Sequence, residues 1–66
     1  MKIFLNGEEK ILSGKMSVAE LVAKLELDVK KIAVEKDLEI VNPAQFSAVL
    51  IDEGSRIEIV HFIGGG

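Results

Sequence analysis

Ser17-Val18-Ala19-Glu20-Leu21-Val22-Ala23-Lys24-Leu25 is the stretch from which the fold is read. Ser17 and Glu20 have the spacing of a capping box: the serine hydroxyl can accept from the Glu20 amide while the glutamate reaches back to the Ser17 amide. Val18, Leu21, Val22 and Leu25 then recur at i, i+3, i+4 and i+7, which draws one apolar stripe along a helix. Glu20 and Lys24 fall at i, i+4 on the wet side, where opposite charges attract. A helix with one apolar face has to cover something, and the flanking sequence supplies a sheet.

Upstream, Ile3 to Leu5 reads as a first strand, Asn6-Gly7-Glu8 as a hairpin signal and Glu9 to Ser13 as the returning strand. With Gly7-Glu8 as the loop, Leu5 faces Lys10, Phe4 faces Ile11 and Ile3 faces Leu12. That register is preferred over a loop at Asn6-Gly7, which sets Lys10 opposite Ile3 and places a charge more centrally. Ile3, Leu5 and Leu12 then share one face, and Phe4 pairs with Ile11 on the other.

Downstream, Asp28 and Lys30-Lys31 mark the helix exit. Ile32 to Glu35 forms a strand, Lys36-Asp37 a turn and Leu38 to Val41 a short partner strand. Asn42 caps one helical turn over Pro43-Ala44-Gln45-Phe46, with proline at its first position. Asp52-Glu53-Gly54-Ser55 is a turn, and Arg56 to Ile63 is the last strand. Its alternation puts Ile57, Ile59 and His61 on one face and Glu58, Val60 and Phe62 on the other. Gly64-Gly65-Gly66 completes the sequence. The order ββ-α-ββ, a short turn, then β predicts an α+β fold: a mixed sheet of about five strands with one main helix packed on one face. Residues 1–66 make one domain with a flexible glycine tail at 64–66.

Composition narrows the function. A chain of 66 residues buries only about 60% of its unfolded surface. It has little room for a pocket of the roughly 300 Å³ or more that small-molecule sites need, so no catalytic residue is assigned. The formal net charge of −3 repels phosphate backbones and argues against nucleic-acid binding. Cysteine is absent, so disulfides and thiolate metal sites are out and any thio-chemistry must use the chain end. Ile3-Phe4-Leu5 is broken at once by polar residues, and no apolar run approaches the roughly 20 residues that span a bilayer. A soluble cytoplasmic protein with no membrane contact is expected. His61 has no spaced companions, so no metal site is assigned. Gly14-Lys15-Met16 fails as a phosphate loop, having Glu9 at the leading glycine position and Met16 where Ser or Thr is needed. Glu8-Glu9 and Asp52-Glu53 read as solvated turn charges.

At this point the sequence resembles the β-grasp, or ubiquitin-like, superfamily. Met1-Lys2-Ile3-Phe4-Leu5 is similar to a ubiquitin-type first strand, and the last strand runs directly into Gly65-Gly66. Within that superfamily the short length, Glu39-Ile40-Val41, Ile57 to Ile63 and Gly64-Gly65-Gly66 resemble the ThiS family of sulfur carriers in thiamine biosynthesis. The resemblance implies a carrier, monomeric when free, that binds no cofactor itself. A ThiF-like adenylyltransferase would use ATP and magnesium to adenylate the Gly66 carboxylate, a sulfur donor would convert it to a thiocarboxylate, and a ThiG-like thiazole synthase would take the sulfur. Two other readings stay open on the residues: a carrier for molybdopterin or another thiolation pathway, and a β-grasp interaction domain with an idle tail.

Glycine lacks a Cβ and can thread a narrow channel in extended form, which suits Gly64 and Gly65 to enter a partner's active site. Ordering them costs roughly 1–2 kcal/mol per residue, so a docking surface must offset that cost. In a β-grasp sheet the first strand lies beside the last. Phe4, Ile11, Val60 and Phe62 are therefore expected together on the face away from the helix, as an apolar partner-binding patch.

Overall fold

The computed structural model describes residues 1–62. The strands are β1 (Lys2–Leu5), β2 (Glu8–Ile11), β3 (Met16–Ser17), β4 (Ile32–Lys36), β5 (Glu39–Val41), β6 (Leu50–Ile51) and β7 (Arg56–His61), with one α-helix, α1 (Val18–Lys24). Five strands form a mixed sheet in the order β2-β1-β7-β4-β5, in which β1 and β7 run parallel and the other pairs antiparallel. The strand that ends the described chain is thus central, flanked on both sides.

Helix α1 begins as its sequence predicts. The Glu20 amide donates to Ser17 Oγ at 3.1 Å, and Glu20 Oε1 accepts from the Ser17 amide at 2.9 Å. That use of the carboxylate replaces the predicted Glu20–Lys24 pair, which is not among the ion pairs of the described residues. The helix closes at Leu25 with the Leu27 amide on the Val22 carbonyl and the Glu26 amide on the Ala23 carbonyl. This is a Schellman closure, with Glu26 at φ +58 where glycine is usual. Val18, Leu21 and Val22 are fully buried against Ile3, Ile32, Val34, Ile57 and Ile59 from the sheet.

The first hairpin turns at Asn6-Gly7, not at Gly7-Glu8. Lys2 pairs with Ile11, Ile3 with Lys10, Phe4 with Glu9 and Leu5 with Glu8. Asn6 at φ +50 and Gly7 at φ +81 supply the positive dihedrals of a two-residue hairpin turn whose twist matches the strands. Lys10 does lie opposite Ile3, but β2 is an edge strand, and a long lysine can bury its stem and keep its ammonium wet. The shift amounts to two residues, so every side chain keeps its predicted face and only its partners change.

The sequence reading missed β3 and β6, which pair with each other beside the main sheet. Two residues per strand are too few for alternation to show. Pro43–Gln45 forms the predicted helical turn, of the 3-10 type, with the Ala44 amide on Asn42 Oδ1 at 2.9 Å.

Candidate functional site

Strand β7 is the axis of the site. Its side chains alternate cleanly: Ile57 and Ile59 are buried, while Arg56, Glu58 and Val60 face outward. The register with β4 sets Val60 opposite Ala33, Glu58 opposite Glu35 and Ile59 opposite Val34. Beyond His61, the Phe62 amide still donates to the Lys31 carbonyl at 2.8 Å, so the chain is held against β4 up to its last described residue. Ile63 and the three glycines assigned to the chemistry, Gly64, Gly65 and Gly66, lie outside the described residues.

On the other side, β1 reaches only as far as Leu5 opposite Ile57. Past that point the sheet is continued by the turn. The Asn6 amide donates to the Ile57 carbonyl at 2.8 Å, and Asn6 Oδ1 accepts from the Ile59 amide at 2.8 Å. A side chain therefore does the work of a missing strand residue and fixes β7 just before Val60. Sequence reading found Asn6 only as a turn former. The signal for its second role is its place at the end of the strand beside β7.

The four predicted patch residues share the face away from α1, but they do not form one cluster. The parallel register places Phe4 opposite Arg56, and the guanidinium lies 5.6 Å from the Phe4 ring centroid. Val60 is four residues further along β7, about 13 Å away at the strand rise. Ile11, 72% exposed, pairs with Lys2 and lies further still from Val60. Phe4 and Ile11 thus sit near the start of β7. Val60 and Phe62, 59% and 57% exposed, sit at the tail end with Ala33 beside them.

The tail end has more apolar surface than the sequence suggested. Val29, Ala33, Ile40, Pro43 and Phe62 line a groove of ≈ 490 Å³, and Ile40 is 79% exposed. Its lining has no constellation for acid-base or nucleophilic chemistry. His61 is exposed at the end of β7, and no group of three potential metal ligands exists among the described residues. No described helix is long and apolar enough to cross a membrane.

Residues 3–66 match the model of the ThiS family. The chain is 46% identical, over its whole length, to the thiazole synthase of Paramagnetospirillum magneticum, of which it covers 20%. It therefore spans about a fifth of the length of the first curated relatives it matches. It is 35% identical to the sulfur carrier protein ThiS of Bacillus subtilis, over 94% of this chain and 96% of that one. The crystal structure of the thiamine biosynthesis protein ThiS from Geobacter metallireducens superposes with a TM-score of 0.88 at 28% identity, covering both chains in full. The mixed sheet crossed by one helix is thus the β-grasp fold of that protein, and the chain belongs to the ThiS family.

Proposed function

We propose that this chain carries sulfur as a thiocarboxylate on the C-terminal carboxyl group of Gly66, as co-substrate of a ThiF-like adenylyltransferase and a ThiG-like thiazole synthase. The observation that carries the reading is the position of β7: the central strand of the sheet runs to His61, with only Phe62 and Ile63 before Gly64-Gly65-Gly66 in the sequence, inside a family match that extends through residue 66.

The chemistry follows from the carboxylate. Its charge repels nucleophiles, so it must first be activated. Attack of a carboxylate oxygen on the α-phosphorus of ATP forms the acyl-adenylate and releases pyrophosphate, with magnesium held by the partner. Hydrosulfide from the sulfur donor then attacks the carbonyl carbon, AMP departs, and a thiocarboxylate remains. The domain contributes no catalytic group to either step. It supplies a fixed root, a threadable end, and the exposed side chains of Val60 and Phe62 at the tail end, with Phe4 and Ile11 as a separate contact further down the same face.

The reading is tested by intact-mass spectrometry after incubation with ATP, magnesium, the adenylyltransferase and sulfide. Exchange of one oxygen for sulfur at Gly66 is expected, and one extra residue appended after Gly66 should prevent it. If neither the adenylate nor the thiocarboxylate forms, the reading is rejected.

A further inference from the structure

Glu35 and Glu58 are directly opposed across the antiparallel β4–β7 pair. Both point away from the helix, because their neighbours Val34, Ile57 and Ile59 are buried on the other face. Opposed residues have Cβ atoms about 4.5–5.5 Å apart, and like charges there repel. Neither glutamate belongs to an ion pair among the described residues. The ion pairs among the described residues are Lys2–Glu9, Lys36–Asp37 and Lys36–Asp52. Arg56, two residues before Glu58 on the same face, lies against the Phe4 ring.

The carboxylate pair borders the tail-end apolar groove. Ile40, which lines that groove, is the β5 residue opposite Glu35. Ala33 and Val60 form the next cross-strand pair on this face toward the tail. If Gly66 is the reactive residue, as proposed above, only residues 63–66 separate the chemistry from Phe62, and four extended residues span at most about 14 Å. An enzyme that acts on Gly66 must therefore close over the surface around Phe62. A covering protein strips water from what lies beneath it, and two carboxylates so covered need a countercharge.

We propose that thiazole synthase docks on this face with an apolar side chain in the groove and an arginine between Glu35 and Glu58. This rests on the Gly66 reading. Thiazole synthase is the occupant chosen because a protein of that name contains a stretch 46% identical to this whole chain. The planar guanidinium, with five donors, can bridge two carboxylates at once. The apolar contact and the charge contact both supply affinity, and the charge contact also sets which way round the domain sits.

The test is binding of purified thiazole synthase by calorimetry at low and moderate salt, with the wild type, Glu35→Gln, Glu58→Gln and the double variant. Each is also unfolded in urea alone. The double variant should bind at least tenfold more weakly and with a shallower salt dependence. In isolation it should be as stable as the wild type or more so, since a repulsion has been removed. Wild-type affinity in the double variant overturns the proposal, as does an unchanged salt dependence or a wild type that does not bind. Mass spectrometry of Gly66 separates the two readings: a thiocarboxylate on a double variant of undiminished affinity refutes the arginine contact alone, whereas no thiocarboxylate on the wild type refutes the Gly66 chemistry.

Discussion

Asn6→Ala should be among the most damaging exposed substitutions in this domain. Two effects add. Asn6 sits at φ +50, and forcing a residue with a Cβ and no compensating amide into the left-handed region costs roughly 1–2 kcal/mol. Its Oδ1 also accepts from the Ile59 amide at 2.8 Å, and leaving a partly buried donor without a partner costs about 1–3 kcal/mol. The sum is about 2–5 kcal/mol, against a total stability of roughly 3–10 kcal/mol for a chain of this size. At about 4–8 °C per kcal/mol the melting temperature should fall by roughly 8–40 °C.

Two further substitutions separate the effects. Asn6→Asp keeps both an acceptor and a tolerance of the left-handed region, and should lose less than about 1 kcal/mol. Asn6→Gly keeps only the conformational freedom and should lose the hydrogen-bond share, about 1–3 kcal/mol. The chain has no Trp and no Tyr, so unfolding is best followed by far-UV circular dichroism in urea. If Asn6→Asp proves as damaging as Asn6→Ala, or Asn6→Gly is as stable as the wild type, the Oδ1 contact is not what ties β7 to the hairpin.

Ser17→Ala removes the hydroxyl half of the capping box and should cost about 1 kcal/mol in urea unfolding. Leu21→Ala, at a fully buried position in the core, should cost about 2–5 kcal/mol by the same assay. Glu26→Gly relieves the positive φ at the helix end and should raise stability by about 1 kcal/mol, seen as a higher urea midpoint with an unchanged slope. Phe62→Asp should weaken binding to both proposed enzymes by tenfold or more, while Ile11→Asp should weaken it far less. Calorimetry with each enzyme checks this, and equal losses would contradict the separation of the two ends of the face.

Legibility in the sequence followed the range of the forces involved. Helix α1 was readable because its cap and stripe are local. The first hairpin carries its answer in Asn6-Gly7, against which a lysine opposite Ile3 weighs only if that lysine is shut away from water. An edge strand lets a lysine reach water, so turn chemistry prevailed. Glu26 at φ +58 and Leu38 at φ +72 occupy positions where glycine would have announced the turn. Leu38 is also 85% exposed, and nothing in the structure explains a leucine there. The single patch failed for a different reason. Alternation correctly assigned each side chain to a face, but the β1–β7 register is set by packing across the whole chain, which no short motif reports. The tail's chemistry came from residue type and resemblance, not from geometry.

The magnitudes favour the tail end of the sheet as the docking surface for the proposed chemistry. Ordering three glycines costs roughly 3–6 kcal/mol at 1–2 kcal/mol per residue. Burying about 200 Å² of apolar surface returns roughly 5 kcal/mol at 25 cal/mol per Å². Val60, Phe62 and Ile40 are all more than half exposed, and their aliphatic and aromatic area is of that order. Contacts there also hold the root of the tail, so ordering it begins from a fixed point. The same area buried at Phe4 and Ile11 would place the contact near the start of β7, at the far end of the strand from the root of the tail. A docking surface near the last described residue therefore serves affinity and aim together, and the opposed carboxylates beside it add affinity of their own while deciding orientation.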